Sequence, residues 1–246
     1  MTMQRLSRSK PLSQQQLRIP SPAGQIRADL STPAEPIGLV IFSHGAGSNR
    51  LSPRNRAVAQ VMQRAGLATL LPDLAPAAPT SADGRLAALP LQSERLQAVI
   101  DWSGQESQLR QLPLALVGSS TGAAVALEAA AARADRVAAV LCRGGRPDLA
   151  FPSLSQVRCP VLLIVGEHDL DVLELNAWAA AFLQVRHELV VIPHAGHLFA
   201  EPGCLEAMAQ RGCQWLLQVL RPGSHQSDPN NGEAMQSPPS QCSTSA

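Results

Sequence analysis

The segment that decides the fold runs from residue 116 to residue 127 and reads LVGSSTGAAVAL. It begins with apolar residues, passes through the motif GSSTG at residues 118–122 and continues into an alanine-rich stretch. The apolar residues predict a buried strand, and the alanine-rich stretch predicts a helix. A glycine-flanked serine at a sharp strand-to-helix turn has an exposed hydroxyl, so Ser120 is the candidate nucleophile. The alternative is an ordinary helix N-terminus that a serine or threonine caps.

Similar apolar segments recur on both sides of this stretch. Each contains Gly, Asp, His or Ser at its end, and they read GLVIFSHG (38–45), GLATLLPDL (66–74), RVAAVLCRGG (136–145), CPVLLIVGEHD (159–169) and ELVVIPHAGH (188–197). Continuous apolar segments are typical of strands buried on both faces of a parallel sheet. Helical patterns separate them at residues 53–65, 92–103, 121–133, 173–183 and 201–220. This alternation predicts an α/β fold, with a doubly wound, mostly parallel sheet flanked by helices.

The two ends of the chain differ in composition from the part between them. Residues 15–21 and 24–31 alternate apolar and polar side chains, which predicts an antiparallel hairpin at the edge of the sheet. Residues 222–246 are rich in Ser, Pro, Gly, Asn and Gln and bury too little apolar surface to offset the entropy of ordering. We therefore predict a flexible N-terminus (1–14), one domain (15–221) and a disordered tail (222–246). The longest insertion, residues 75–90, predicts a short lid and no cap domain.

Composition excludes several classes of function. The 246 residues carry a formal net charge of +1, with 3% aromatic residues and no tyrosine, so nucleic-acid binding is not indicated. The five cysteines are odd in number and lack C-x-x-C spacing, which argues against a disulfide framework and favours a reducing compartment. No apolar run is long enough to cross a bilayer, and the N-terminus lacks the apolar core of a signal peptide. We expect a cytoplasmic protein that binds neither nucleic acid nor membrane.

A serine nucleophile needs a general base and an acid that orients it. The segment after the last predicted strand contains His194 and His197. His197 is the preferred base because it stands farther from the strand and Gly196 lets the loop turn towards the site; His194 is the alternative. The preceding strand ends near Asp169, the preferred acid, with Asp171 in reserve. Asp171 also fits an N-cap for a helix that begins near residue 172.

The spacing of His194 and His197 also suggests metal ligation. No acidic or cysteine partner lies near them at a familiar spacing. Glu167 and His168 are interpreted as solvated loop residues or as the edge of a cavity. We therefore expect no metal site.

The glycine-containing turn at residues 44–47, HGAG, follows another predicted strand. Its small residues let backbone N–H groups approach a substrate oxygen, so the amides of Ala46 and Thr121 are the predicted oxyanion donors. His44 and Gly45 are predicted to border the substrate. The alternative for His44 is a structural role in which it hydrogen-bonds the loop.

Two arginines follow the strand after the nucleophile helix. Arg143 and Arg146 are candidates to bind a carboxylate or phosphate of the substrate, helped by backbone donors of the glycines between them. The alternative is that one arginine pairs with Asp148 or Glu201 and braces the loops. Cys142 is interpreted as a small buried apolar residue, because nothing near it in sequence would lower the pKa of its thiol.

The segments HGAG (44–47), GSSTG (118–122), GEHD (166–169) and GHLF (196–199) occur in the order found in one superfamily. Over about residues 17–220 the sequence resembles the α/β-hydrolases, and more narrowly the dienelactone-hydrolase-like branch of small bacterial hydrolases. The resemblance implies the α/β-hydrolase fold, no cofactor, and Ser120, Asp169 and His197 as nucleophile, acid and base. Dienelactone hydrolases proper have a cysteine as nucleophile, so dienelactone is not implied as the substrate.

Two further segments, RGGRPDLA (143–150) and HLFAEPG (197–203), look like those of hydrolases that are sometimes fused to a phosphoribosyltransferase domain. We expect no such domain in this chain.

These residues together predict a serine hydrolase that cleaves a small ester, lactone or thioester through an acyl-enzyme intermediate. Its expected partner is a small molecule, which is anionic if the arginines bind it. Two alternatives stay open. One is a non-catalytic α/β-hydrolase-fold protein that binds a ligand or a partner, since fold does not imply function. The other is an acyltransferase that uses the same triad.

Overall fold

The computed structural model describes residues 12–75 and 82–221. The strands are β1 (Leu12–Ile19), β2 (Ile26–Pro33), β3 (Leu39–Ser43), β4 (Ala68–Pro72), β5 (Leu114–Ser119), β6 (Val137–Arg143), β7 (Val161–Gly166) and β8 (His187–Ile192). The helices are α1 (Pro53–Arg64), α2 (Ala82–Ala87), α3 (Leu89–Gln105), α4 (Gly122–Ala132), α5 (Leu170–Ala180) and α6 (Cys204–Leu220). Two short 3₁₀ helices, Pro147–Ala150 and Ser153–Gln156, lie between β6 and β7.

The eight strands form one sheet in the order β1-β2-β4-β3-β5-β6-β7-β8. Strands β3 to β8 run parallel, whereas β1 and β2 pair antiparallel as the predicted hairpin, and β2 pairs antiparallel with β4. The prediction of a doubly wound, mostly parallel α/β sheet is confirmed. Because parallel strands end at the same edge, the loops after β3, β5, β6, β7 and β8 meet there.

Helices cover both faces of the sheet. Helices α3, α4 and α5 pack on one face, with Leu96 and Val125 among the buried residues, and α1 and α6 pack on the other, with Met62 and Trp215 among them. Eight of the eleven residues of α4 are buried, and most of these are alanine or glycine. Small side chains let the backbone of α4 approach the sheet closely, which brings the helix N-terminus to the end of β5.

Several predicted boundaries differ from the observed ones. Helix α5 begins at Leu170 rather than at residue 173, and Asp169 occupies its N-cap position without a capping hydrogen bond from its side chain. Helix α6 begins at Cys204 rather than at residue 201, because Gly203 before it has a φ of 80° and cannot lie in the helix. The longest helices, α3 and α6, have 17 residues each, and none of the helices described is long and apolar enough to cross a membrane.

The edges of the domain also differ from the prediction. Strand β1 begins at Leu12, three residues before the predicted domain boundary. Strand β8, predicted as buried on both faces, is half-buried or exposed at every residue except Ile192, because it forms the edge of the sheet. The rest of the predicted flexible N-terminus, the predicted tail (222–246) and part of the predicted lid (76–81) lie outside the described residues. The end of the lid segment forms α2 and the start of α3.

Candidate active site

Ser120 lies in the turn between β5 and α4, as the motif predicts. Its φ is 52°, a left-handed conformation that is rare for residues other than glycine. The glycines on either side are required by close backbone contacts. A Cβ atom on Gly118 would lie 2.5 Å from Cα of Ala123, and one on Gly122 would overlap the carbonyl oxygen of Ser43. The sharp turn therefore depends on both glycines. The backbone of Ser120 stays hydrogen-bonded within it, because its N–H donates to the carbonyl of Arg143 at 3.3 Å and its carbonyl accepts the N–H of Ala123 at 3.0 Å.

The loops after β7 and β8 bring Asp169 and His197 together. Nδ1 of His197 lies 2.7 Å from Oδ2 of Asp169, and their side chains are 38% and 13% exposed. An ionised carboxylate can only accept a hydrogen bond. Nδ1 of His197 therefore carries the proton and donates a hydrogen bond to Asp169. This bond leaves Nε2 of His197 as the proton acceptor of the ring.

The two alternatives to this pair lie elsewhere. The side chain of His194 is 85% exposed, and its backbone N–H donates to Oε2 of Glu167 at 2.7 Å. Asp171 lies exposed in the first turn of α5 and is not its N-cap, so the predicted capping role is wrong. Of the residues considered for base and acid, the structure pairs His197 with Asp169.

Ser120 and His197 line one cavity of about 130 Å³ at the carboxyl edge of the sheet. Gly45, Ala46, Arg54, Arg143 and Gly144 contribute to its wall. A larger groove of about 560 Å³ between α1 and the start of α6 shares Arg54 with the cavity. The small volume suits a compact acyl group, and the groove offers room for a longer part of a ligand.

Of the two predicted oxyanion donors, Ala46 lines this cavity but its amide is engaged, whereas Thr121 directly follows Ser120 and is not a lining residue. The backbone N–H of Ala46 donates to Oγ1 of Thr121 at 2.9 Å. The N–H of Thr121 has no recorded acceptor among the described residues. Gly45 approaches the nucleophile so closely that a Cβ on it would lie 3.0 Å from Cβ of Ser120. The turn after β3 is therefore packed against the nucleophile turn.

Arg143 lies in the wall of the cavity and pairs with no carboxylate in the described parts of the chain. Its guanidinium donates to Oδ1 of Asn55 at 3.0 Å. Burial, and then the positive charge of Arg54, lowers the pKa of Arg143 to about 10, so it remains cationic at neutral pH. A desolvated cation without a counter-ion favours an anion at this position.

Two residues predicted to bind substrate do not line the cavity. Arg146 forms two hydrogen bonds with Asp148, at 2.8 and 2.7 Å, which is the bracing role considered as the alternative. His44 is 2% exposed, and its Nε2 accepts the N–H of Leu74 at 2.9 Å. These contacts favour the structural alternative for both residues, because each side chain is hydrogen-bonded within the fold.

Gly144, one of the two glycines between the arginines, also acts differently from the prediction. The N–H of Gly144 donates to the carbonyl of Ile164 at 2.8 Å, so it is not a free anion donor. Its φ is 50°, and a Cβ would lie 3.0 Å from the carbonyl oxygen of His197. Gly144 thus permits the close approach of the loop that carries His197.

Cys142 is buried in β6. Burial raises the pKa of its thiol to about 12, so it carries no thiolate at neutral pH. This agrees with its interpretation as an apolar core residue.

Sequence reasoning did not identify Asn55, which accepts a hydrogen bond from Arg143, or Arg54, whose charge lowers the pKa of Arg143. Both lie on α1, whose N-terminus Ser52 caps and whose first position Pro53 occupies. Asn55 is 4% exposed and continues the buried helical stripe of Val58 and Met62 towards the N-terminus. A polar residue at a core-facing helical position was the signal that could have found it.

Comparison with known proteins places this chain in a family. A model of the dienelactone hydrolase family matches residues 26–220. The solved structure of a dienelactone hydrolase from Anabaena variabilis is 40% identical, with a TM-score of 0.80, and the match covers 85% of this chain and 99% of that one. Est1E from Butyrivibrio proteoclasticus has a TM-score of 0.71 at 18% identity, covering 83% and 98% of the two chains. The fold is that of the α/β-hydrolases.

Two relatives come from strains of Mycobacterium tuberculosis. Each is 42% identical over 210 residues and carries the provisional name phosphoribosyl transferase. The match covers 85% of this chain and 47% of each relative, so the chain spans about half of their length.

Proposed function

The chain belongs to the dienelactone hydrolase family, and we propose that it is a serine hydrolase that cleaves a small ester, lactone or thioester. The observation that carries this proposal is the 2.7 Å hydrogen bond between His197 and Asp169, beside a cavity that Ser120 and His197 line together. The carboxylate fixes the tautomer of the imidazole and stabilises the imidazolium that forms when Nε2 takes a proton.

In the first half of the reaction, Oγ of Ser120 attacks the carbonyl carbon and its proton moves to Nε2 of His197. The electron pair of the carbonyl bond moves to the oxygen, which becomes an oxyanion. When this intermediate collapses, the bond to the alcohol or thiol breaks, and the leaving group takes the proton from Nε2. The acyl group then remains on Ser120, and in a lactone the leaving hydroxyl stays part of the same molecule.

In the second half, water attacks the acyl carbon while Nε2 of His197 accepts its proton. The new tetrahedral intermediate collapses with release of the carboxylic acid. Oγ of Ser120 takes the proton back from His197, and the free enzyme is restored.

The oxyanion of both intermediates needs hydrogen-bond donors in place before it forms. The N–H of Thr121 is the first donor in this proposal. The N–H of Ala46 is the second, and it must exchange its bond with Oγ1 of Thr121 for a bond with the oxyanion. The threonine hydroxyl thus keeps the Ala46 amide satisfied while the cavity holds no substrate.

The substrate in this proposal is a small molecule with a carboxylate or phosphate, rather than a nucleic acid or a membrane lipid. The cavity of about 130 Å³ supports this choice, as does the guanidinium of Arg143, which has no carboxylate partner among the described residues. A carboxylate or phosphate beside Arg143 would replace the counter-ion that the described residues do not provide.

We propose that the transferase name of the mycobacterial relatives concerns the half of their length that this chain does not match.

We also propose a cytoplasmic location, supported by four buried free cysteines, namely Cys142, Cys159, Cys204 and Cys213.

Hydrolysis of small aryl esters by the purified chain tests the proposal. The parent is expected to turn over these esters, and Ser120→Ala is expected to lose almost all of this activity. Ser155→Ala removes an exposed serine outside the cavity and serves as the matched control. Equal turnover by the parent and by Ser120→Ala would exclude the proposed nucleophile.

A further inference from the structure

Three exposed side chains form a cluster near the pair of Asp169 and His197. Glu167 and His168 follow β7, and His194 follows β8. Their donor atoms all lie within 4.8 Å of one another. We refer to Glu167, His168 and His194 as the Glu-His-His cluster. None of its members lines the cavity of Ser120, so the proposed hydrolysis does not use them.

Backbone hydrogen bonds hold the two loops of the cluster together. The N–H of Glu167 donates to the carbonyl of Ile192 at 3.0 Å, and the N–H of His168 donates to the carbonyl of Ala195 at 2.9 Å. Oε2 of Glu167 accepts the N–H of His194 at 2.7 Å. The cluster is therefore assembled by the neighbouring strands β7 and β8, not by chance contact of long side chains.

The donor atoms converge on one carboxylate. Oε2 of Glu167 lies 3.6 Å from Nδ1 of His194 and 4.0 Å from Nε2 of His168. In a tetrahedral zinc site with bonds of about 2.1 Å, ligand atoms lie about 3.4 Å apart. Small side-chain rotations would close this difference, and the three side chains are 50–85% exposed and free to make them.

We propose that the Glu-His-His cluster binds a divalent transition-metal ion, specifically Zn²⁺. The ligands are a carboxylate oxygen of Glu167, Nε2 of His168 and Nδ1 of His194, and water completes four-coordination. A site with two imidazole nitrogens and one carboxylate favours zinc over magnesium or calcium. The spacing of His194 and His197 in sequence suggests a different pair, but the fold supplies the missing acidic partner from the neighbouring loop.

An ion at this position would link the loops that carry the proposed catalytic pair. Asp169 directly follows His168, and His197 stands three residues after His194. The bound ion would add a bridge between the two loops, so it is expected to stabilise the folded chain.

Calorimetric titration of the untagged, chelator-treated chain with ZnCl₂ tests the proposal, with the thermal midpoint as a second readout. We expect one Zn²⁺ per chain and a midpoint that rises with added zinc. His168→Ala and Glu167→Gln should each weaken the Kd by about tenfold or more. His187→Ala is the matched control, because His187 is an exposed histidine of β8 outside the cluster, and it should bind zinc as the parent does.

Cobalt provides a spectroscopic readout that separates coordination from non-specific binding. The Co²⁺-loaded parent should show the visible absorption of a four-coordinate site, and His194→Ala should lose it while its metal-free circular dichroism matches that of the parent. The proposal is overturned if the parent shows no saturable zinc binding. It is equally overturned if His168→Ala and Glu167→Gln bind zinc as tightly as the parent.

Discussion

Nδ1 of His197 donates a hydrogen bond to Oδ2 of Asp169 across 2.7 Å, although the two residues are 28 positions apart in the chain. Asp169→Asn keeps the size of this partner but removes its charge, so the imidazole loses its preferred tautomer. We expect kcat for a small ester to fall about 10⁴-fold. Steady-state kinetics checks this, with Asp171→Asn as the control because Asp171 lies exposed on α5. A comparable loss in both variants would contradict the assignment of Asp169 as the acid that orients His197.

Arg143→Gln tests the substrate class. The neutral amide retains polarity but loses the charge, so KM for an ester that bears a carboxylate should rise about 10–100-fold, the cost of losing a charged hydrogen bond. KM for a neutral ester of similar size should change little. Arg146→Gln is the matched control, since Arg146 already pairs with Asp148. An equal effect of Arg143→Gln on both esters would argue against anion recognition.

Two glycine substitutions separate a required glycine from a tolerant one. Gly122→Ala places a methyl group against the carbonyl of Ser43, so the free energy of unfolding should fall by about 1–3 kcal/mol or more. Gly104 lies within α3, and a Cβ there would lie 3.6 Å from Nε of Arg136, an ordinary contact. Gly104→Ala should therefore raise the free energy of unfolding by about 0.5–1 kcal/mol. Urea denaturation of both variants measures the difference.

Burial lowers the pKa of His44 below its ordinary value of 6.5, while the bond to Gly45 and the charge of Asp73 act in the opposite direction. Unfolded His44 therefore takes up a proton at a higher pH than folded His44 does. Its contribution to stability is present above about pH 6.5 and is lost as the pH falls below that value.

The free energy of unfolding, measured from pH 7 to pH 5, checks this prediction. His44→Gln should reduce the slope by at most about 1.4 kcal/mol per pH unit, the limit for one proton. An unaltered slope in His44→Gln would show that His44 does not titrate differently in the folded and unfolded chains.

Much of the fold could be predicted because hydrophobic periodicity depends on local sequence. The apolar segment before Ser120 and the alanine-rich segment after it fix a strand, a turn and a helix. The parallel sheet then brings the ends of β5, β7 and β8 to one edge, so Ser120, Asp169 and His197 could be nominated without coordinates. Their roles remain proposals.

The parts that could not be predicted depend on tertiary contacts. Asn55 and Arg54 reach Arg143 from α1, far away in sequence, and no local pattern encodes this meeting. The pairing of Arg146 with Asp148 and the burial of His44 favour structural roles for two residues that were predicted to contact the substrate. Side-chain partners of this kind depend on packing, which composition and periodicity do not specify.

Fluorophosphonate labelling, with mass-spectrometric mapping of the modified residue, tests the central claim most directly. A fluorophosphonate reacts with a serine that an adjacent base activates, so the parent should carry one label on the peptide that contains Ser120. Ser120→Ala should not be labelled, and Asp169→Asn should be labelled much more slowly. A parent chain that stays unlabelled, or a label that persists in Ser120→Ala, would contradict the assignment of Ser120 as an activated nucleophile.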